Sequence, residues 1–263
     1  MNRVDTRPIS PTRQRGNPHV TEAEWLACVD PAPLLEHLNE TDPVPRSRPF
    51  LEALRQAPEV KDLRKSLRFG IECCRRIRHL LHETPLGKII EKGETYLAGT
   101  ATWQTVTDVF DSLLWRDGSA TWAAARAVCE HLIRLDLVSV ARDAALALGY
   151  EVAYRDGRES SWMVDRPAVV RAEKSVQAAL VRDIFGNPFR PSPVQITGVS
   201  SQHRLIRVMA ETIYAEQTFA DLPILADALE EAGCDNADIL AHCRGDGPHA
   251  RGCWVVDLLL GNE

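Results

Sequence analysis

The chain has 263 residues, 44% of them hydrophobic and 26% charged, with a formal net charge of −6 at pH 7. That apolar fraction excludes a wholly disordered chain, and the acidic balance disfavours a general nucleic-acid binder, which needs clustered cations for the phosphate backbone. No apolar run approaches the roughly 20 residues that span a bilayer; the longest near the end, Cys253 to Leu260, is interrupted by Asp257.

In chain order, residues 1–20 carry Arg3, Arg7, Arg13 and Arg15 with almost no apolar side chains, and lack the apolar core of a secretory signal. They read as a flexible basic tail. Order is expected from Thr21, which with Glu24 forms a capping-box pattern. Asp30-Pro31 opens a second short helix through Leu34, Leu35 and Leu38, and a proline-rich connector spans Pro43 to Pro49. The strongest periodicity predicts a helix over 59–83. At 100° per residue, Leu63, Leu67, Ile71, Cys74, Ile77 and Leu81 share one stripe, with Arg64, Arg68, Arg75, Arg78, His79 and His82 on the adjoining face.

Further helices are predicted over 86–98, 102–116 and 119–149, with Thr102 and Ser119 as caps. Tyr150, Val152 and Tyr154 alternate before Asp156-Gly157, which reads either as a short β-hairpin near 150–165 or as a loop between helices. Helix resumes at 167–185 behind Pro167. Pro188, Pro191 and Pro193 mark the clearest internal boundary. Helices follow over 202–217, 221–232, 236–243 and 251–260, with Gly233 and Gly245 at two C-termini. The expected fold is all-α, an array or bundle of roughly nine or ten helices. The expected division is a helical domain over 21–187, a connector over 188–201 and a C-terminal helical subdomain over 202–263.

Four blocks carry a resemblance: Thr21-Glu22-Ala23-Glu24-Trp25-Leu26-Ala27-Cys28; Cys73-Cys74-Arg75-Arg76-Ile77; Arg182-Asp183-Ile184-Phe185-Gly186-Asn187-Pro188-Phe189-Arg190-Pro191; and Gly252-Cys253-Trp254-Val255-Val256-Asp257. Together they resemble an uncharacterised bacterial family abundant in planctomycetes, over nearly all of 21–261. The resemblance implies no activity. It does imply a usual start one residue before Thr21, at Val20, which an alternative start codon could encode, so that residues 1–19 lie upstream of it.

The chemistry-bearing signal is the density of Cys and His near the end. Cys234, Cys243, His249 and Cys253 are separated by eight, five and three residues, the intervals of a CCCH-type zinc finger with its last two ligand types exchanged. A helix from Asp235 to Cys243 would hold Cys234 and Cys243 on the order of 13 Å apart, too far to share an ion. The surrounding 216–246 segment has eight acids (Glu216, Asp221, Asp227, Glu230, Glu231, Asp235, Asp238, Asp246) against Arg244, and would repel phosphate. Two readings stay open. The favoured one is no metal, with buried thiols and a histidine bonded to a backbone carbonyl; the other is zinc on Cys243, His249 and Cys253, with His242 or water as fourth ligand.

No phosphate loop, nucleophile elbow, zinc-protease helix or dinucleotide loop is present, so no catalytic residue is assigned. Cys73 lies on the flank of its helix near Arg75, Arg76 and His79, a setting that lowers a thiol pKa and invites a reactivity test. Trp25, Trp103, Trp115, Trp122 and Trp254 read as core anchors. The seven cysteines suit reduced thiols in a cytoplasmic protein. The expected role is a non-enzymatic helical module that binds protein through complementary charge or an apolar groove. One version is self-association, pairing the basic 61–82 face, which has seven Lys or Arg, with the acidic 216–246 block. No membrane contact is expected and nucleic acid is disfavoured; the first alternative is a zinc-bearing module touching nucleic acid through the basic helix 61–82, and the second is an enzyme of unrecognised class.

Overall fold

The computed structural model describes residues 20–41, 63–81, 87–111, 120–155, 165–190 and 200–262. Among these the chain is all-α, with 13 α-helices, one 3-10 turn and no strand. The helices are α1 (Glu22–Ala27), α2 (Pro31–Thr41), α3 (Arg64–Arg76), α4 (Arg78–Leu81), α5 (Lys88–Leu97), α6 (Trp103–Asp111), α7 (Ala120–Ile133), α8 (Leu137–Arg155), α9 (Asp165–Phe185), α10 (Ser200–Glu216), α11 (Leu222–Glu231), α12 (Ala237–Arg244) and α13 (Trp254–Leu260). The basic tail, the 43–49 connector, Pro191, Pro193, Trp115 and His82 lie outside the described residues.

The helix count exceeds nine or ten because two long periodic stretches are broken. The 59–83 stretch is interrupted at Ile77, whose side chain stays fully buried. The 119–149 stretch is broken at Leu135, which adopts a left-handed φ of 57°; the Asp136 carboxylate then accepts from the Ser139 amide and starts α8. Alanine-rich flanks hide such a break, because both helices are equally good helix formers. The hairpin expectation is corrected: Tyr150, Val152 and Tyr154 lie inside α8, which runs to Arg155, and Asp156-Gly157 lies outside the described residues. Alternation over three positions is too short to outweigh continuation of a long helix.

At the N-terminus of α1, Thr21 and Glu24 form the expected capping box. The predicted stripe is the core face of α3: Leu63, Leu67, Ile71, Cys74 and Ile77 are each no more than 1% exposed. They belong to a first cluster of buried side chains built from α1–α9, with Trp25, Phe69, Tyr96 and Trp103 as its largest members. A second cluster, from Ile206 to Val256, fills the space between α10, α11, α12 and α13. Leu222, Leu225, Ala226 and Leu229 supply one face of it at helical spacing.

The two clusters meet across a polar junction. Arg68 is 3% exposed and donates to Glu94 Oε2 at 2.7 Å and to the Tyr214 hydroxyl. Glu94 also receives Arg75, and Arg251 Nη1 lies 3.5 Å from it. Arg251 donates to the Tyr214 and Ala215 carbonyls, capping the end of α10. Gly252, at φ +95°, lets the chain pass against Arg68, since a Cβ there would lie 3.1 Å from Arg68 Cγ. This junction fixes Arg251 and Gly252, in the loop before α13, against α3, α5 and α10.

Candidate functional site

Four polar side chains converge where α9 ends. Asp183 sits in the last turn of α9, His242 in α12, His249 in the loop after α12, and Cys253 at the N-cap position of α13. One ligand atom from each lies within 4.8 Å of every other. Asp183 Oδ1 is 2.7 Å from His249 Nδ1 and 3.2 Å from His242 Nε2. His242 Nε2 is also 3.2 Å from Cys253 Sγ. The second Asp183 oxygen accepts the Ala250 amide at 2.9 Å, and His249 Nε2 lies 3.3 Å from the Gly245 carbonyl. The two imidazoles are 4.9 Å apart edge-to-face, and Trp254 packs 5.2 Å from His242.

Exposure falls inward: His242 is 17%, His249 10%, Asp183 2% and Cys253 fully buried. Burial pushes the Asp183 carboxyl up, but hydrogen bonds and positive charge from His242 and His249 outweigh it and hold the group below its ordinary value. Burial pulls His249 down, and the Asp183 bond and charge, with the Gly245 carbonyl, more than offset it. The Cys253 thiol is pushed well up by burial and by the Asp183 charge. A buried carboxylate in the last turn of a helix faces the negative end of the dipole. It persists there because the C-terminal loop brings cationic and N–H partners to it.

This arrangement is not a nucleophilic relay. In a Cys–His–Asp relay the thiol and the carboxylate engage opposite ring nitrogens. Here both approach the same His242 Nε2, so no proton path runs through the ring. Four lone-pair atoms instead surround one point.

Asp183, His242 and His249 form the floor of a cleft of about 420 Å³, lined among others by Trp25, Leu26, Asn187, Asp238, Pro248 and Trp254, with Cys253 buried outside its lining. The Phe-Gly-Asn-Pro-Phe turn builds one wall. Arg182 donates to the Trp25 and Cys28 carbonyls at 3.2 and 2.8 Å, capping α1. Asn187 donates to Glu22 at 2.9 Å and accepts the Phe189 amide. Phe189 stacks on His37 at 5.2 Å and meets Trp25 edge-on; at 38% exposure it covers the core surface rather than entering it.

Of the sequence candidates, His242, His249 and Cys253 are brought together. Cys243 is not: it is fully buried in the C-terminal cluster, where burial pushes its thiol up to about 12. Cys234 precedes α12 and is also outside the group. Asp183 was missed, and its unfavourable place at a helix C-terminus was the available signal. Cys73 is fully buried, with its thiol raised chiefly by burial, so the expectation of a reactive flank is corrected. The basic face is largely engaged within the chain: Arg76 bonds Glu173 at 2.6 Å, His79 bonds Glu151 at 2.7 Å, and Arg68 and Arg75 hold Glu94. Trp25 and Trp103 are core anchors, whereas Trp254 is half-buried on the cleft wall. No described helix is long and apolar enough to cross a membrane. No family model, no curated protein and no solved structure matches the chain.

Proposed function

We propose that the protein is a non-enzymatic helical binding module whose recognition surface is the cleft at the end of α9. Its partner is a protein segment that presents a large apolar side chain beside a Lys or Arg. The carrying observation is the cleft: its size falls in the range of about 300–1,000 Å³ that seats side chains or small ligands, with aromatic and aliphatic walls from Trp25, Leu26 and Trp254. Exposed apolar side chains continue that surface outward: Leu26, on the lining, at 56%, and Phe189, against Trp25, at 38%. The Asp246 carboxylate on the lining favours a cationic neighbour, beside Asp238, which faces Arg190 at 3.6 Å.

The groove is favoured over pairing of the 61–82 and 216–246 surfaces. Arg68, Arg75 and Arg76 spend their charge on Glu94 and Glu173, and Arg244 neutralises part of the acidic block through Asp227 and Glu230. The seven unbridged cysteines support a reducing, cytoplasmic setting.

Selection from a random displayed-peptide library against the full chain tests the reading. Enriched peptides carry an aromatic or aliphatic residue next to a base, and Leu26→Glu, a change at an exposed position, weakens their binding at least about tenfold. Absence of enrichment, or equal binding to the variant, overturns it.

A further inference from the structure

Beyond the docking role, we propose that Asp183, His242, His249 and Cys253 form a closed, four-ligand site for one zinc ion. Three features beyond proximity carry this. The first is spacing. Zinc bonds of about 2.0–2.3 Å in a tetrahedron place ligand atoms roughly 3.3–3.7 Å from one another. Three of the six observed separations are 2.7, 3.2 and 3.2 Å, and all six are within 4.8 Å. Closing on an ion needs the short edges to open by about 0.5 Å and the widest to close by up to about 1 Å.

The second is the outer shell. Metal-bound histidines donate their other N–H to a carbonyl or carboxylate, which fixes the tautomer. His249 does this toward Gly245 through Nε2, leaving Nδ1 for the ion. Asp183 does the equivalent: Oδ2 is anchored by the Ala250 amide, leaving Oδ1 as a single inward ligand. The free positions of both residues face His242 Nε2 and Cys253 Sγ.

The third is chemistry and charge. One thiolate, two imidazoles and one carboxylate suit a borderline-soft ion and not calcium or magnesium, which take oxygen shells. A thiolate and a carboxylate together neutralise a divalent cation, and a neutral assembly is the least costly to bury. Four protein ligands leave no position for a reactive water, so the ion ties α9 to the C-terminal loop and is not a hydrolytic centre.

The test uses the full chain expressed in zinc-replete medium, with metal content measured after desalting and again after cobalt exchange. About one zinc per chain is expected, and the cobalt form should show tetrahedral d–d bands with a thiolate charge-transfer band. Cys253→Ser removes the charge-transfer band and lowers the stoichiometry, whereas Cys243→Ser changes neither. His242→Gln, at the most exposed ligand, weakens binding while circular dichroism reports the fold intact. Less than about 0.1 metal per folded wild-type chain after both loadings, or a charge-transfer band that follows Cys243 instead of Cys253, overturns the site. Neither readout depends on the peptide selection, so failure of one proposal leaves the other standing.

Discussion

Glu72 gives the sharpest test of the electrostatics at the junction between the two core clusters. It is 8% exposed. Burial raises its carboxyl from 4.5 to about 7; Arg75 and Arg68 pull it down, while Glu94 and Asp183 push it up. Arg75 Nη1 lies 3.3 Å from Glu72 Oε1, yet that oxygen has no hydrogen bond of acceptable geometry, so the contact is charge proximity that does not offset desolvation. The unfolded chain ionises this group near 4.5, and the native chain keeps it protonated to about 7. Between those values the native state holds the extra proton, so stability is full below 4.5 and is lost as pH rises through about 7. That interval, at about 1.4 kcal/mol per pH unit, is worth roughly 3 kcal/mol. His249 and Asp257 are also raised and tilt the wild-type curve in the same direction; the difference between wild type and Glu72→Gln isolates the one group. Urea unfolding followed by circular dichroism should give similar stabilities near about pH 5, and a variant more stable by roughly 2–3 kcal/mol near about pH 8, with unchanged m-values. Parallel pH curves for the two proteins would show that desolvation at this junction is not what sets the Glu72 carboxyl.

Two glycines give independent checks on packing. A Cβ at Gly70 would lie 2.3 Å from Cδ1 of the fully buried Leu132, so Gly70→Ala should lose about 1–2 kcal/mol despite its helix-propensity gain, measured as a lower urea midpoint. Gly186 ends α9 at φ +74°, and a Cβ there meets Trp254 Cγ at 3.3 Å; Gly186→Ala should lose about 1–2 kcal/mol and shift tryptophan emission as the cleft wall moves.

Much of the fold was legible because helical periodicity reports burial directly. The α3 stripe, the Thr21 cap and the Asn236-capped helix α12 follow from local rules. What local rules miss are breaks without a breaker. Leu135 in a left-handed conformation costs energy that tertiary packing supplies, and nothing in its neighbours announces it. The site was half legible for a related reason. Spacing along the chain brought out Cys234, Cys243, His249 and Cys253, with His242 as an alternative fourth ligand; of these His242, His249 and Cys253 converge, and a ligand search by spacing cannot see which face of α12 turns inward. His242 and Cys243 are adjacent, so their side chains diverge by about 100° around the helix. One reaches the cleft and the other the C-terminal core. Asp183 stands 59 positions before His242 in the sequence and could be found only by asking why a carboxylate ends a helix.

The convergence of sequence blocks sharpens where function should be sought. Three of the four sequence blocks contribute to one cleft: Trp25 and Leu26 from α1, Arg182, Asp183, Gly186 and Asn187 from the end of α9, and Trp254 from the start of α13. The fourth, Cys73 to Ile77, lies on α3, where Cys73, Cys74 and Ile77 are fully buried and the two arginines bond Glu94 and Glu173. A cleft with a polar floor and an exposed apolar rim is what the proposed docking role requires. A helical scaffold gains little stability from four convergent polar side chains, since an apolar set of equal volume would serve as well. On the two proposals above, a metal ion meets that floor and an apolar side chain of the partner meets the rim.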